Sequence, residues 1–319
     1  MKTKSQPYTI PVIFSITILL YACKAIIEPS INNREIVPLA PGDQTKSASY
    51  AINFWWEPVE DALTYNLQIV RPDFNNITAL VSDTVIRSNK FTLNLKPGQY
   101  QWRVRALNGS SQTQFSQVKS FTILLSSIKG QSVQLKTPPN NFITNQPTVG
   151  LEWSDLYGAT KYFLQIDTNN FANDSVMVYK QAIPGQQFTF TFPKDQIYQW
   201  RVRAENDTAK ADWSSVHTMS YDHTPPGPVT IVAPANNQQV NTPVSLLWNT
   251  VVSATRYKLY IFKSDSVTAY NGSFPTTLTS SSFNFTGATL GERVVWKVSA
   301  VDAAGNEGSA SAIRSFILR

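Results

Sequence analysis

The chain has 319 residues, which is enough for two or three domains that each bury a hydrophobic core. Hydrophobic residues make up 42% and charged residues 15% of the sequence, a composition typical of globular proteins. One cysteine and two histidines exclude an intrachain disulfide and a zinc site built from a Cys/His cluster. We therefore predict no metal, no cofactor and no enzymatic activity.

The formal net charge of +6 is mild and is spread along the chain. Lys2 and Lys4 belong to a segment that is interpreted below as a leader, so 25 Lys and Arg remain against 21 Asp and Glu. Nucleic-acid binding needs basic residues concentrated on one face, and no basic run is present. We predict no nucleic-acid partner.

The N-terminus predicts an exported protein. Lys2 and Lys4 precede an apolar run of 15 residues, from Tyr8 to Ala22, that contains Pro11. A membrane-spanning helix needs about 20 apolar residues, so this run is too short to span a bilayer. A short basic segment followed by a short apolar run predicts a secretory signal peptide over residues 1–22.

The end of this run, Leu20-Tyr-Ala-Cys23, resembles the lipobox of bacterial lipoproteins. The resemblance implies that a diacylglyceryl group is attached to Cys23 and that residues 23–35 form a lipid-anchored tether. Lys24 is not the Asp that is associated with inner-membrane retention, so we expect a location in the bacterial envelope at the outer membrane, facing the periplasm or the cell surface. The alternative is an uncleaved membrane anchor with an incidental cysteine.

Three copies of one pattern follow the leader. In each copy a Trp precedes a Tyr by nine residues, and a second Trp follows the first by 46, 47 and 48 residues in turn. The residues that define the copies are Trp56, Tyr65 and Trp102; Trp153, Tyr162 and Trp200; and Trp248, Tyr257 and Trp296. A repeat of about 96 residues indicates three similar domains.

Apolar residues within each copy alternate with polar ones at a period of two. In the first copy Tyr65, Leu67 and Ile69 alternate with Asn66 and Gln68. Successive side chains of a strand point to opposite faces, so this pattern predicts sheet with one buried and one wet side. Short strands with turn-rich connections predict an all-β chain of two-sheet sandwiches.

Two sets of residues make the resemblance more specific. Leu95-Lys-Pro-Gly-Gln-Tyr100 is similar to the tyrosine corner of fibronectin type III domains, and the Arg-Val-Arg-Ala runs that follow Trp102 and Trp200 also resemble that family. The resemblance implies three tandem fibronectin type III sandwiches, which belong to the immunoglobulin-like folds and need no disulfide. Tyr198 matches the corner in the second copy, whereas Val294 in the third implies that the corner hydrogen bond is absent there.

The predicted domains span residues 36–124, 131–221 and 228–319. The linkers are expected near residues 125–131 and 221–228, and the second, which contains three prolines, is expected to be stiff.

Two sets of side chains are candidates for binding a partner. Arg103 and Arg105, with Arg201 and Arg203, are predicted to point to the wet face, where they either grip a carboxylate or simply solubilise the sheet. Trp55 lies between two inward-facing aromatic residues and is predicted to face outward, either against a sugar or protein partner or against a neighbouring domain.

A third recurring pattern is Asp, then Ser or Thr, then a small aliphatic residue. It resembles the acceptor used for O-glycosylation of exported proteins in one group of Gram-negative bacteria. The alternative is that polar turns are simply rich in Asp and Ser. The candidate acceptor hydroxyls are those of Thr84, Ser175, Thr208 and Ser266.

These observations favour a non-enzymatic envelope or surface lipoprotein that binds a protein or glycan partner or acts as a spacer. The alternatives are an accessory subunit of a glycan-processing or secretion system, or an enzyme-associated domain whose activity lies in a loop. Sandwiches of this kind have many functions on variable loops, so the fold does not choose among them.

Overall fold

The computed structural model describes residues 28–319, all of which form strands, turns and loops. Cys23 and the predicted signal peptide lie outside the described residues. The strands fall into three successive groups of eight, which we call units 1, 2 and 3. Each unit contains one three-stranded and one five-stranded sheet, so the predicted all-β class with three two-sheet sandwiches is confirmed.

The strands of each unit follow one another in the same order. Those of unit 1 are β1 Pro38–Ala40, β2 Thr45–Ser47, β3 Ala51–Trp56, β4 Thr64–Pro72, β5 Ile77–Ile86, β6 Lys90–Asn94, β7 Gly98–Leu107 and β8 Lys119–Ile123. Those of unit 2 are β9 Leu135–Thr137, β10 Phe142–Thr144, β11 Thr148–Trp153, β12 Lys161–Asp167, β13 Tyr179–Ile183, β14 Gln187–Thr191, β15 Gln196–Glu205 and β16 His217–Tyr221. Those of unit 3 are β17 Ile231–Ala233, β18 Gln238–Val240, β19 Val244–Trp248, β20 Arg256–Phe262, β21 Thr276–Leu278, β22 Ser282–Phe285, β23 Arg293–Val301 and β24 Arg314–Leu318.

The sheets repeat the same topology three times. In unit 1 the three-stranded sheet has the order β1-β3-β6 and the five-stranded sheet the order β2-β8-β7-β4-β5. Units 2 and 3 keep these neighbours at the equivalent strands. The second strand of each unit pairs in parallel with the last, and the other pairs are antiparallel. The chain crosses between sheets after its first strand, at Pro41, Pro138 and Pro234, because proline lacks the N–H that continued pairing would need.

The alternation seen in the sequence places the aromatic residues in the cores. Trp56, Trp153 and Trp248 are all buried, and each ring packs against the Tyr nine residues later at 5.5–5.9 Å between ring centroids. The second Trp of each repeat is buried as well. These aromatic pairs fill the cores of the three units. The described residues contain no disulfide.

The tyrosine corner is present in two units and replaced in the third. The hydroxyls of Tyr100 and Tyr198 each donate to the carbonyl four residues earlier, at 2.7 Å, as predicted. In unit 3 Val294 is buried without such a bond, and the turn is held instead by Tyr270, whose hydroxyl donates to Gly287 O at 2.6 Å. In unit 3 the equivalent turn is therefore stabilised by a tyrosine from a different loop.

The chain before β1 is packed rather than extended, at least from residue 28. Ile31 is buried and its N–H donates to Ser111 Oγ at 2.9 Å. Asn108 Nδ2 donates to Pro29 O at 2.8 Å. The part of the predicted tether that the structure describes is thus docked on the loop between β7 and β8 of unit 1. Across residues 28–319 the structure has no helix of the length and apolarity required to cross a bilayer.

Candidate binding surface

Trp55 lies on the outward side of the three-stranded sheet of unit 1. On β3 its neighbours Phe54 and Trp56 are fully buried, whereas Trp55 is 43% exposed. The prediction that Trp55 faces outward is therefore confirmed, and its indole is not covered by a neighbouring unit. An exposed indole of this size leaves apolar area in water, which is typical of contact sites.

The outward residues of β3 and β6 form a small patch that we call the Trp55 surface: Asn53, Trp55, Lys90 and Thr92. Trp55 is paired with Lys90, whose Nζ lies 4.9 Å from the centroid of the indole ring. Thr92 Oγ1 donates to Asn53 Oδ1 at 2.6 Å. A groove of about 360 Å³ opens beside these side chains. The patch combines one aromatic face with amide, hydroxyl and ammonium groups.

The equivalent positions of the other units carry different side chains. Glu152 of unit 2 and Leu247 of unit 3 lie at the place of Trp55 in their sheets, next to the first strand of the unit. Leu247 is 36% exposed and lacks an aromatic face. The Trp55 surface thus distinguishes unit 1 from its two repeats.

The arginines of unit 1 are held by aromatic rings of their own unit. The guanidinium of Arg103 lies 4.3 Å from the ring centroid of Phe74 and 4.2 Å from that of Phe115, so it contacts both rings. Its Nε donates to Gln68 Oε1 at 2.9 Å. The guanidinium of Arg105 lies 4.5 Å from the centroid of the same Phe115 ring.

Unit 2 repeats this stack. Arg201 lies 4.0 Å from the ring centroid of Phe171 and 4.3 Å from that of Trp213, and Arg203 lies 4.6 Å from Trp213. Arg203 also forms an ion pair with Glu205 at 2.8 Å. Partner binding by the four arginines stays a prediction. In the structure each of the four guanidinium groups lies over an aromatic ring of its own unit, and we call these contacts the arginine stacks.

Two aromatic partners of the stacks, Phe74 and Phe171, were missed by sequence reasoning. Phe74 and Phe171 come from the loops after β4 and β12, outside the alternating pattern that identifies strands. A signal was available, because Phe74 and Phe171 are 97 residues apart, as Trp56 and Trp153 are. A residue that recurs at the repeat distance in a loop indicates a shared structural role.

On the equivalent face of unit 3, as the structure describes it, no arginine lies over an aromatic ring. Side chains there donate hydrogen bonds to a carboxylate instead. Glu307 accepts hydrogen bonds from Ser299 Oγ at 2.6 Å, Tyr260 Oη at 2.7 Å and Lys258 Nζ at 3.1 Å. Burial alone would raise the pKa of Glu307, but these three donors outweigh it and hold the pKa below its usual range.

The candidate glycosylation acceptors occupy two kinds of position. Ser175, Thr208 and Ser266 are exposed on turns, whereas Thr84 lies within β5 and is half-buried. Next to Ser266, the Asp265 carboxylate accepts from Thr268 Oγ1 and from the N–H groups of Val267 and Thr268, which lowers the pKa of Asp265 to about 2. Asp265 thus caps its turn, and modification at the four hydroxyls stays a prediction.

No protein-family model and no curated protein matches the chain. Solved structures that resemble it include the FN1–FN3 domains of chicken CNTN1, at 15% identity and a TM-score of 0.40, covering 89% of this chain and 97% of that one. Fibronectin(III)-like modules of CbhA from Clostridium thermocellum resemble it at 12% identity and a TM-score of 0.38, covering 59% of this chain and 94% of theirs.

Proposed function

We propose that the protein is a non-catalytic lipoprotein of the bacterial envelope that binds a partner through the Trp55 surface of unit 1. The observation on which this depends is the exposed indole of Trp55 on an open sheet face. Large aromatic side chains that stay in water next to polar groups are the usual anchors of binding surfaces.

The anchor and the docked N-terminal segment support a membrane-proximal contact. Acyl chains on Cys23 would bind a bilayer, since each buried CH₂ contributes about 0.8 kcal/mol. From Glu28 onward the chain is packed on unit 1, because Glu28 O and Pro29 O both accept hydrogen bonds from the loop after β7. Few residues therefore separate unit 1 from Cys23, so a lipid anchor on Cys23 would hold the Trp55 surface close to the membrane.

The anchor and the surface can be tested in one co-sedimentation experiment with isolated envelopes. Cys23→Ser should weaken association and move the chain out of the detergent phase, since it takes away the acylation site. Adding Trp55→Ala to Cys23→Ser should release most of the protein that still sediments with the envelopes. Without the lipid anchor, this remaining association depends on the Trp55 surface. Circular dichroism should show that both variants are folded.

Leu247→Ala, also combined with Cys23→Ser, is the matched control, since it removes an outward apolar side chain at the equivalent position of unit 3. It should sediment like Cys23→Ser alone. If the double variant with Trp55→Ala sediments like Cys23→Ser alone, the Trp55 surface does not bind a partner in the envelope. If Cys23→Ser partitions into detergent like the wild type, Cys23 is not the lipid anchor.

A further inference from the structure

Two further hollows lie near the Trp55 surface, one between units 1 and 2 and one in unit 2. Thr92 borders the groove beside Trp55, and Asn94, two residues further along β6, borders a cleft of about 230 Å³ between the units. Lys136 borders both that cleft and a depression in unit 2 next to Glu152. The three hollows thus follow one another along the three-stranded sheets of both units, and we call them together the track.

The two halves of the track are held together at the junction of the units. Asn94 Nδ2 donates to Ser154 Oγ of unit 2 at 2.8 Å. Tyr50 of unit 1 is buried, and its N–H donates to Gln131 Oε1 at 2.8 Å. The track is therefore a fixed surface, and β6 alone carries it about 13 Å from Lys90 to Asn94 at ~3.3 Å per residue. That length suits an extended polymer better than a single small molecule.

The charged groups of the track are three lysines and two carboxylates. Lys90, Lys96 and Lys136 line it, and none of the three has a carboxylate within 4.0 Å in the part of the chain that the structure describes. Of the two carboxylates, Asp155 lies in the cleft between the units and Glu152 lies at the unit 2 end. Spaced ammonium groups fit a polymer whose carboxylates are also spaced.

The neutral groups of the track point to sugar rather than protein. Besides the Trp55 indole, it offers the amides of Asn53 and Gln187 and the hydroxyl of Thr92. The cores of protein interfaces are depleted in lysine. This track carries three lysines and two exposed aromatic rings, those of Trp55 and Tyr157. A pyranose ring presents a C–H face that packs on an indole and hydroxyls that pair with amides.

We propose that the track binds a linear acidic polysaccharide, with one sugar stacked on Trp55 and its uronate carboxylates near Lys90, Lys96 and Lys136. This proposal rests on the proposed function and names the class of its partner. Binding should weaken as the salt concentration rises, because the lysine–carboxylate attraction is screened at an exposed surface.

Affinity electrophoresis of the purified chain in polygalacturonate, alginate and hyaluronan gels tests this, with amylose and dextran as neutral polymers. At least one acidic polymer should retard the wild type, and 0.5 M NaCl should abolish the retardation. Trp55→Ala should weaken binding at least tenfold and Lys136→Ala severalfold, while Leu247→Ala should bind like the wild type.

Absence of retardation by all three acidic polymers, or equal retardation by the neutral ones, would overturn the proposal. Tighter binding of single-stranded DNA than of any polysaccharide would overturn it as well. If Trp55→Ala still impairs sedimentation with envelopes, the proposed function stands and only the polysaccharide is wrong. If Trp55→Ala changes neither assay, both are wrong.

Discussion

At the scale of single residues, neighbouring tryptophans of one strand have opposite roles. Trp56 fills the core of unit 1, and Trp55 lies in the open. Trp153 occupies the place of Trp56 in unit 2 and is 1% exposed. Its indole packs against Tyr162, whose hydroxyl accepts a hydrogen bond from the Leu156 N–H at 3.0 Å. Truncating such a ring leaves a cavity that the surrounding sheet cannot close.

Trp153→Ala should therefore lower the free energy of unfolding by about 3–5 kcal/mol, as is typical for a buried Trp. Urea denaturation followed by circular dichroism measures this. Trp55→Ala is the matched control and should change the stability by less than about 0.5 kcal/mol, because the side chain is exposed. A cost under about 1 kcal/mol for Trp153→Ala would contradict the placement of this ring in the core.

At the scale of elements, the five-stranded faces of the units are stabilised by different chemistry. In units 1 and 2, arginines lie over aromatic rings. At an exposed site such a cation–π contact contributes about 0.5–1 kcal/mol to stability. Unit 3 places Lys297 over Tyr260, at 5.2 Å, and gathers hydrogen bonds on Glu307. The Glu307 cluster depends on an ionised carboxylate whose pKa is lowered in the folded state.

Because the folded state lowers the pKa of Glu307, ionised Glu307 stabilises unit 3 above its usual pKa. This contribution should be lost as the pH falls through the lowered pKa of the folded state. Glu307→Gln should thus lower the Tm of unit 3 at pH 7, and the difference from the wild type should vanish in strong acid. Glu152→Gln is a control in unit 2. A Tm difference that persists unchanged to pH 2 would be evidence against this role.

At the scale of the whole molecule, units 1 and 2 share one core. Their buried side chains form a continuous cluster that includes Ile128 and Val133 of the connecting segment, while unit 3 has a separate cluster. Between units 2 and 3 a single side-chain hydrogen bond joins Asn306 Nδ2 to Asp222 O, at 2.8 Å. We expect units 1 and 2 to unfold together and unit 3 to unfold on its own.

Differential scanning calorimetry of the full-length chain should accordingly show two transitions. The one that belongs to units 1 and 2 should have about twice the enthalpy of the other, since unfolding enthalpy scales with the number of residues. Trp153→Ala should shift the larger transition alone. Three transitions of similar size would show that the junction does not couple the first two units.

The repeated core was predictable because a period of two and a fixed Trp–Tyr spacing encode strand faces directly. The junction of units 1 and 2 was not predictable. The contact of Tyr50 with Gln131 depends on how the two units are oriented, and the spacing of apolar residues carries no information about that orientation. Residues 125–131 were predicted as a linker, yet Ile128 is buried there and its carbonyl accepts from Gln131 N, as that of Ile31 does from Arg34 N before unit 1. This packed turn repeats at 97 residues, outside any strand pattern.

The candidate surface was predictable in part. The outward direction of Trp55 follows from its place between two inward rings, whereas its neighbour Lys90 is brought in from β6 by strand pairing. The continuation of the groove into unit 2 depends on the junction and could not be read from either unit alone.

The role of Trp55 is tested most directly by oxidative footprinting of the wild-type chain on its own envelope. Hydroxyl-radical labelling read by mass spectrometry reports the exposure of each tryptophan without any substitution. Trp55 should be oxidised readily in the detergent-purified chain and protected in intact envelopes, while the half-buried Trp213 should be labelled equally in both. Equal oxidation of Trp55 in the two states would show that its surface contacts nothing in the envelope.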